Sequence, residues 1–116
     1  MRLVVQRVTR ARVTVDRMVV GDIGRGAVVL VGVGAGDSDA TADAMADRLA
    51  VLRYFPDDVG RTNLALAEAD GAYLVVSQFT LYADVRRGRR PGFTDAAPPE
   101  LAERLVERFA TRLRKA

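Results

Sequence analysis

Cysteine and histidine are both absent from the 116 residues, and lysine occurs once, at Lys115. Without cysteine no disulfide framework can form, nothing points to an oxidising compartment, and the cytoplasm is the expected location. Without either residue there is no Ser-His-Asp triad, no Cys-His pair and no usual zinc site of imidazole and thiolate ligands, so neither metal nor other cofactor is expected. Any hydrolytic chemistry must then rest on hydroxyls, amides, carboxylates, arginine and backbone N–H groups. These position a substrate and stabilise charge better than they move protons, so the bond attacked has to be labile already. Long apolar runs are missing too. The longest, Ala27 to Val31, falls far short of the ~20 residues that cross a bilayer, and no basic segment with an apolar stretch behind it opens the chain, so no membrane partner is expected.

What is present is an ordinary globular balance: 49% hydrophobic and 28% charged residues with a mean hydropathy of +0.02. That length and balance suit one packed core, hence a single domain over residues 1–116. The net charge of +3 and the sequence pI near 9.9 rest almost wholly on arginine. The planar guanidinium grips phosphate oxygens in pairs, which suits a nucleic-acid partner, whereas compositional bias would raise arginine everywhere. Only clustering separates the two.

Leu3 to Val15 is rich in β-branched residues, with Leu3, Val5, Arg7, Thr9, Ala11, Val13 and Val15 on one face of an extended chain. Asp16-Arg17 suggests a bend, Val19-Val20 a returning strand, and Gly21, Gly24 and Gly26 a turn into a strand over Ala27 to Val33, together a β-meander. Gly32, Gly34 and Gly36 form a GxGxG run, but Asp37 stands where a dinucleotide fingerprint needs its third glycine, which leaves a flexible loop or a weaker small-molecule site. Ser38 or Asp39 caps a helix from Ala40 to about Arg53 with Met45, Leu49 and Leu52 as its stripe. Phe55 to Gly60 reads as a turn, and Asn63 to Leu66 as a short irregular strand. Ala72 to Ala83 (AYLVVSQFTLYA) reads as a central strand covered on both faces. Pro98-Pro99 starts a last helix with Leu101, Leu105 and Phe109 in line and Glu100 to Arg104 as an i,i+4 pair. Strands followed by two amphipathic helices predict an α+β layered fold in which one sheet surface carries both helices.

Three features could carry chemistry. Ser77, Gln78 and Thr80 interrupt an apolar strand, where each unpartnered polar group costs about 1–3 kcal/mol. Either they bond to backbone or to one another at a strand end or bulge, or they face a cavity. Arg7 shares the Leu3/Val5 face and raises the same question, and one pocket beside the SQFT segment would answer both. Arg86, Arg87, Arg89 and Arg90 crowd a Gly/Pro-punctuated loop soon after that segment, where they would put positive charge at the pocket rim or simply remain solvated.

The segments MRLVVQRVTRARVTV, GDIGRG, RYFPDDVGRTNL, LVVSQFTLYAD and RRGRRPGF stand in the order typical of D-aminoacyl-tRNA deacylases, so the chain resembles that family over nearly its whole length. The resemblance implies a layered β/β/α sandwich with a mostly antiparallel or mixed sheet, a homodimer, and a metal-free pocket. That pocket takes the 3′-terminal adenosine of tRNA bearing a D-amino acid or glycine, whose ester is hydrolysed to spare translation from miscoupled residues. Ser77, Gln78, Phe79 and Thr80 match the family's SQxT motif, Arg7 the arginine of its QRV strand, and Phe93 the aromatic residue of its RPxF element. Such an ester needs only an aligned water and backbone donors at Phe79 and Thr80 acting as an oxyanion hole. Nothing supplies a base for Thr80 as a nucleophile, so help from the ribose 2′-hydroxyl ranks above it. The family continues beyond its last helix into strands bearing a Gly-Pro selectivity motif, which residues up to Ala116 do not contain. Truncation or divergence is the expectation there, and a noncatalytic tRNA-binding module is the competing one.

Overall fold

The computed structural model describes residues 1–116. The strands are β1 (Arg2–Val8), β2 (Ala11–Val15), β3 (Met18–Ile23), β4 (Gly26–Gly32), β5 (Phe55–Pro56), β6 (Thr62–Leu64) and β7 (Ala72–Ser77). Helix α1 spans Asp39–Val51, a 3-10 turn covers Phe79–Tyr82, and α2 spans Pro99–Arg114. The expected α+β layering is present: a three-stranded mixed sheet in the order β1-β4-β7, a separate β2-β3 hairpin, and two helices.

The meander does not form, because β1 pairs antiparallel with β4 and β2 pairs only with β3. The chain leaves the main sheet at Thr9-Arg10 and returns through a turn in which Asp16 and Arg17 both take positive φ, the twist that suits a two-residue hairpin. Hydrophobic alternation continues across the break, so pattern alone could not reveal it. The central strand is β4, whose Val29 and Val31 are fully buried, and not β7, which is bonded on one side only and half-exposed. Phe55-Pro56 is a short strand against Thr62–Leu64 rather than a turn.

Both helices cover one face of the sheet. Val29, Val31 and Val33 meet Ala42, Ala46 and Leu49 of α1 and Leu105, Phe109 and Leu113 of α2 in one buried cluster. Ser38 caps α1, accepting from the Thr41 backbone while the Thr41 hydroxyl accepts from the Ser38 N–H. Leu52 is the C-cap and lies exposed, so the buried stripe of α1 is Ala42, Ala46 and Leu49, with Met45 at its margin.

Arg104 does not pair with Glu100. It reaches across to Asp39, and the pattern repeats one turn at a time, with Arg108 bidentate on Asp43 (both bonds 2.9 Å) and Arg112 bidentate on Asp47 (2.8 and 2.9 Å). The partners advance together along both chains, so α1 and α2 run parallel. Hydrogen bonds from Arg108 and Arg112 hold the Asp43 and Asp47 carboxyls below their ordinary value of 3.8. Carboxylates lowered in this way add stability above that ordinary value and lose it as pH falls through the lower folded one. Urea midpoints should therefore drop more steeply below pH 4 for the native chain than for an Asp43→Asn/Asp47→Asn variant, and 0.5 M salt should shrink the difference, because exposed pairs are screened. Parallel acid profiles would show that the ladder contributes nothing.

Candidate active site

The apolar run through residue 83 does not stay extended. β7 ends at Ser77, Gln78 turns out of the sheet, and Phe79–Tyr82 coil into the 3-10 turn. Ser77, Gln78 and Thr80 therefore do not sit inside a strand: Ser77 and Thr80 are exposed and Gln78 is half-buried. Gln78 Nε2 donates to the Thr80 hydroxyl, so these two satisfy each other, while Ser77 lines a cavity. The expectation of a buried polar strand fails, and its two proposed remedies, mutual bonding and an adjoining hollow, both occur.

The turn is pinned from beneath. Gln78 N–H donates to the Val31 carbonyl at 2.8 Å, and Arg2 donates to the Leu81 carbonyl at 2.7 Å with its guanidinium 4.3 Å from the Tyr82 ring centre. The GxGxG run has its reason here. A Cβ on Gly32 would meet Leu81 Cβ at 2.8 Å, and one on Gly34 would meet the Tyr82 hydroxyl at 2.9 Å. These glycines let the 3-10 turn lie directly on the end of β4 and on the loop behind it, which removes the need for a nucleotide to explain them. The backbone N–H groups of Phe79 and Thr80 open the turn, where no acceptor exists within the turn itself.

The cavity, of about 740 Å³, lies between this turn and α2. Ser77, Phe79 and Phe93 form one wall and Ala102, Glu103, Val106 and Glu107 of α2 the other, with Ala96 to Pro99 between them. Phe79 and Phe93 meet edge to face with ring centres 5.0 Å apart. Phe93 is held there because the segment after it is bonded to the strand end: Ala35 N–H donates to the Asp95 carbonyl and Ala97 N–H to that of Val33.

The arginine loop stands beside Phe93. Paired backbone bonds between Asp84 and Gly92, 2.7 and 2.8 Å, close its base, and Gly88 turns its tip with positive φ. Arg86 is committed to Asp84 through two side-chain bonds of 2.9 and 2.8 Å, which hold that carboxyl down to about 2. Arg87, Arg89 and Arg90 are exposed and have no carboxylate partner.

Arg7 is not part of this assembly. In register it stands opposite Ala27, which faces Tyr73, whereas Ser77 faces Val31. Four residues along a strand make about 13 Å, with two strand spacings of about 5 Å each to cross as well. Arg7 instead donates to the Tyr54 carbonyl at 3.1 Å and lies beside Arg25 and Phe55. One pocket shared with SQFT is thus ruled out within a single chain. The contact of Arg2 with the turn and the place of Glu103 and Glu107 in the cavity wall were not legible, since a lone arginine in a strand and two glutamates on an exposed helix face look alike wherever they occur.

The family model described as D-Tyr-tRNA(Tyr) deacylase matches residues 4–116. This chain belongs to the D-aminoacyl-tRNA deacylase family. A D-aminoacyl-tRNA deacylase of Roseiflexus castenholzii is 59% identical over 115 residues, 99% of this chain and 73% of that one. One of Symbiobacterium thermophilum is 60% identical over 114 residues, covering 98% and 76%. Among solved structures, a c-Myc DNA unwinding element binding protein superposes with a TM-score of 0.91 at 40% identity over 99% of this chain and 77% of its own. A probable eukaryotic D-amino acid tRNA deacylase reaches 0.85 at 19% identity over 97% and 66%, a likeness of fold alone. Within this deacylase family chain, Ser77 ends β7, Gln78 precedes the 3-10 turn that Phe79 and Thr80 open, and Phe93 shares the cavity wall with Ser77 and Phe79.

Proposed function

We propose that this chain hydrolyses the ester joining a D-amino acid, or glycine, to the 3′-terminal adenosine of tRNA, releasing free amino acid and tRNA. The observation that carries the reading is the SQFT turn at the edge of an aromatic-walled cavity, with an arginine loop rooted beside it. The cavity takes the aminoacyl-adenosine, with Phe79 and Phe93 offering flat apolar surface to the base or side chain. Ser77 and the bonded Gln78 and Thr80 side chains orient the ester, and the Phe79 and Thr80 N–H groups stabilise the developing oxyanion. The terminal 2′-hydroxyl assists the attacking water, since the chain has no histidine or cysteine to do so. Arg87, Arg89 and Arg90 bind phosphates of the 3′ end, and Arg86 stiffens the loop through Asp84.

A homodimer belongs to this proposal, and exposed Val15, Met18, Val19 and Val20 on the β2-β3 hairpin are apolar surface in keeping with one. Arg7 enters the reading only through such a dimer. The reading further places residues 1–116 in one deacylase-like domain working in the cytoplasm, and no helix is long and apolar enough to cross a membrane. A noncatalytic tRNA-binding role is not favoured, because the relatives of Roseiflexus castenholzii and Symbiobacterium thermophilum, 59% and 60% identical, both carry the deacylase name.

Loss of acid-precipitable label from D-tyrosyl-tRNA and glycyl-tRNA tests the proposal. Both should decay faster with the protein than without it. An Arg87→Ala/Arg89→Ala/Arg90→Ala variant should show a KM raised about tenfold and a shallower salt dependence, by roughly 0.7 in log-log slope for each single-strand phosphate that the loop no longer neutralises. Decay equal to the protein-free control would remove the assignment.

A further inference from the structure

The 3-10 turn that carries Phe79 and Thr80 crosses the end of the sheet. It starts beside β7, passes over Gly32 at the end of β4, and reaches β1 with its far end. Each end is tied to a different strand. At the start Gln78 N–H donates to the Val31 carbonyl of β4 at 2.8 Å, and at the far end Arg2 of β1 donates to the Leu81 carbonyl at 2.7 Å. Phe79 and Thr80 lie between the two ties, and their N–H groups have no acceptor within the turn. With the far tie gone the turn would hang from Gln78 alone, and any swing about that point would carry both N–H groups with it.

Several features hold Arg2 to this task. In register it stands opposite Gly32, where a Cβ would meet the Leu81 Cβ at 2.8 Å and the Tyr82 ring at 3.2 Å, so the missing side chain lets the turn come within reach of β1. The residue before it is anchored: the Met1 ammonium meets Asp37 at 2.6 Å, and the same carboxylate oxygen accepts the Gly34 N–H at 2.8 Å. No carboxylate pairs with Arg2, unlike Arg86, Arg104, Arg108 and Arg112, and its charge goes to the Leu81 carbonyl and the Tyr82 ring. Resting on the deacylase reading above, we infer that Arg2 is a positioning residue for the hydrolysis, holding the far end of the turn so that the Phe79 and Thr80 N–H groups stay aimed at the oxyanion. Its effect falls on kcat, because the oxyanion forms only in the transition state, and substrate affinity is left to the cavity and the arginine loop. Fold stability depends on it little, since Arg2 is exposed.

Arg2→Leu and Arg2→Lys test this with two readouts. Amide hydrogen exchange at Leu81 and Ala83, whose N–H groups donate to the Gln78 and Thr80 carbonyls, reports without any substrate how firmly the turn is held. Exchange there should quicken about tenfold in Arg2→Leu, the scale of one bond to a charged group, while buried Val29 keeps its protection. On D-tyrosyl-tRNA the same variant should lose about tenfold in kcat with KM within roughly twofold, and an unchanged urea midpoint checks the fold. Arg2→Lys brings an ammonium that can donate to the same carbonyl and lie over the same ring, and should recover most of both losses. Unchanged kcat in Arg2→Leu overturns the inference. So does a loss of kcat that leaves exchange in the turn untouched, or one that comes with a lowered midpoint and no recovery in Arg2→Lys. The two readings fail separately: unaltered protein that leaves D-tyrosyl-tRNA intact sinks the proposed function and this role with it, whereas turnover that Arg2→Leu does not slow sinks this inference alone.

Discussion

Gln78→Ala and Thr80→Ala should each slow deacylation of D-tyrosyl-tRNA by about a hundredfold, the penalty for misplacing a positioned substrate by roughly an ångström, while leaving the unfolding midpoint nearly unchanged. The expectation follows from the bond between Gln78 Nε2 and the Thr80 hydroxyl at the start of the 3-10 turn. Removing either partner frees the other to rotate, yet Thr80 is exposed and Gln78 half-buried, so little core packing is disturbed. Thr80→Ser keeps the hydroxyl and should retain most of the rate. A substrate ending in 2′-deoxyadenosine should be slow with every variant, since the assisting hydroxyl would be missing from the substrate. Full turnover in both alanine variants would remove the SQFT turn from the mechanism. A hundredfold loss in Thr80→Ser would instead point to an interaction that needs the threonine methyl.

Phe109→Ala should destabilise the fold by about 3–5 kcal/mol, the usual cost of deleting a fully buried phenyl ring whose site cannot collapse. Phe109 is completely enclosed with Leu105, Val29 and Val31, where α2 meets the sheet. The same helix forms one wall of the cavity, so loosening it should raise KM before the chain unfolds. Urea denaturation measures the first effect, with the slope held constant as evidence that the two-state transition is intact. Thr111→Ala, an exposed change on the same helix, should stay within about 0.5 kcal/mol. A Phe109→Ala loss below about 1 kcal/mol would mean that the helix layer contributes much less than its burial suggests.

Several elements were legible because their signals are local. Ser38 caps α1 through its own hydroxyl, Pro99 opens α2, and Asp16-Arg17 makes the hairpin turn, each within a few residues of chain. The ionic ladder was also written in the sequence, as Asp39, Asp43, Asp47 and Arg104, Arg108, Arg112, two sets at four-residue spacing. Spacing shows that each set shares a helix face, but only the packing of α2 beside α1 shows that the faces meet, and sequence spacing pointed instead to the local Glu100-Arg104 pair.

The sequence by itself determined the chemistry available: no thiol or imidazole, a hydroxyl-amide motif at Ser77 to Thr80, clustered arginines at 86 to 90, and an α+β succession of strands and helices. Those are matters of composition and short-range order, which a chain carries whether folded or not. Tertiary structure alone decided that β4 and not β7 is central, that the run after Ser77 coils against Gly32 and Gly34, that Arg7 stands at the far end of the sheet, and that Ser77 and α2 border one hollow. Each of these depends on which distant segments pair, and hydrophobic alternation is the same for a strand at the edge as for one beside it.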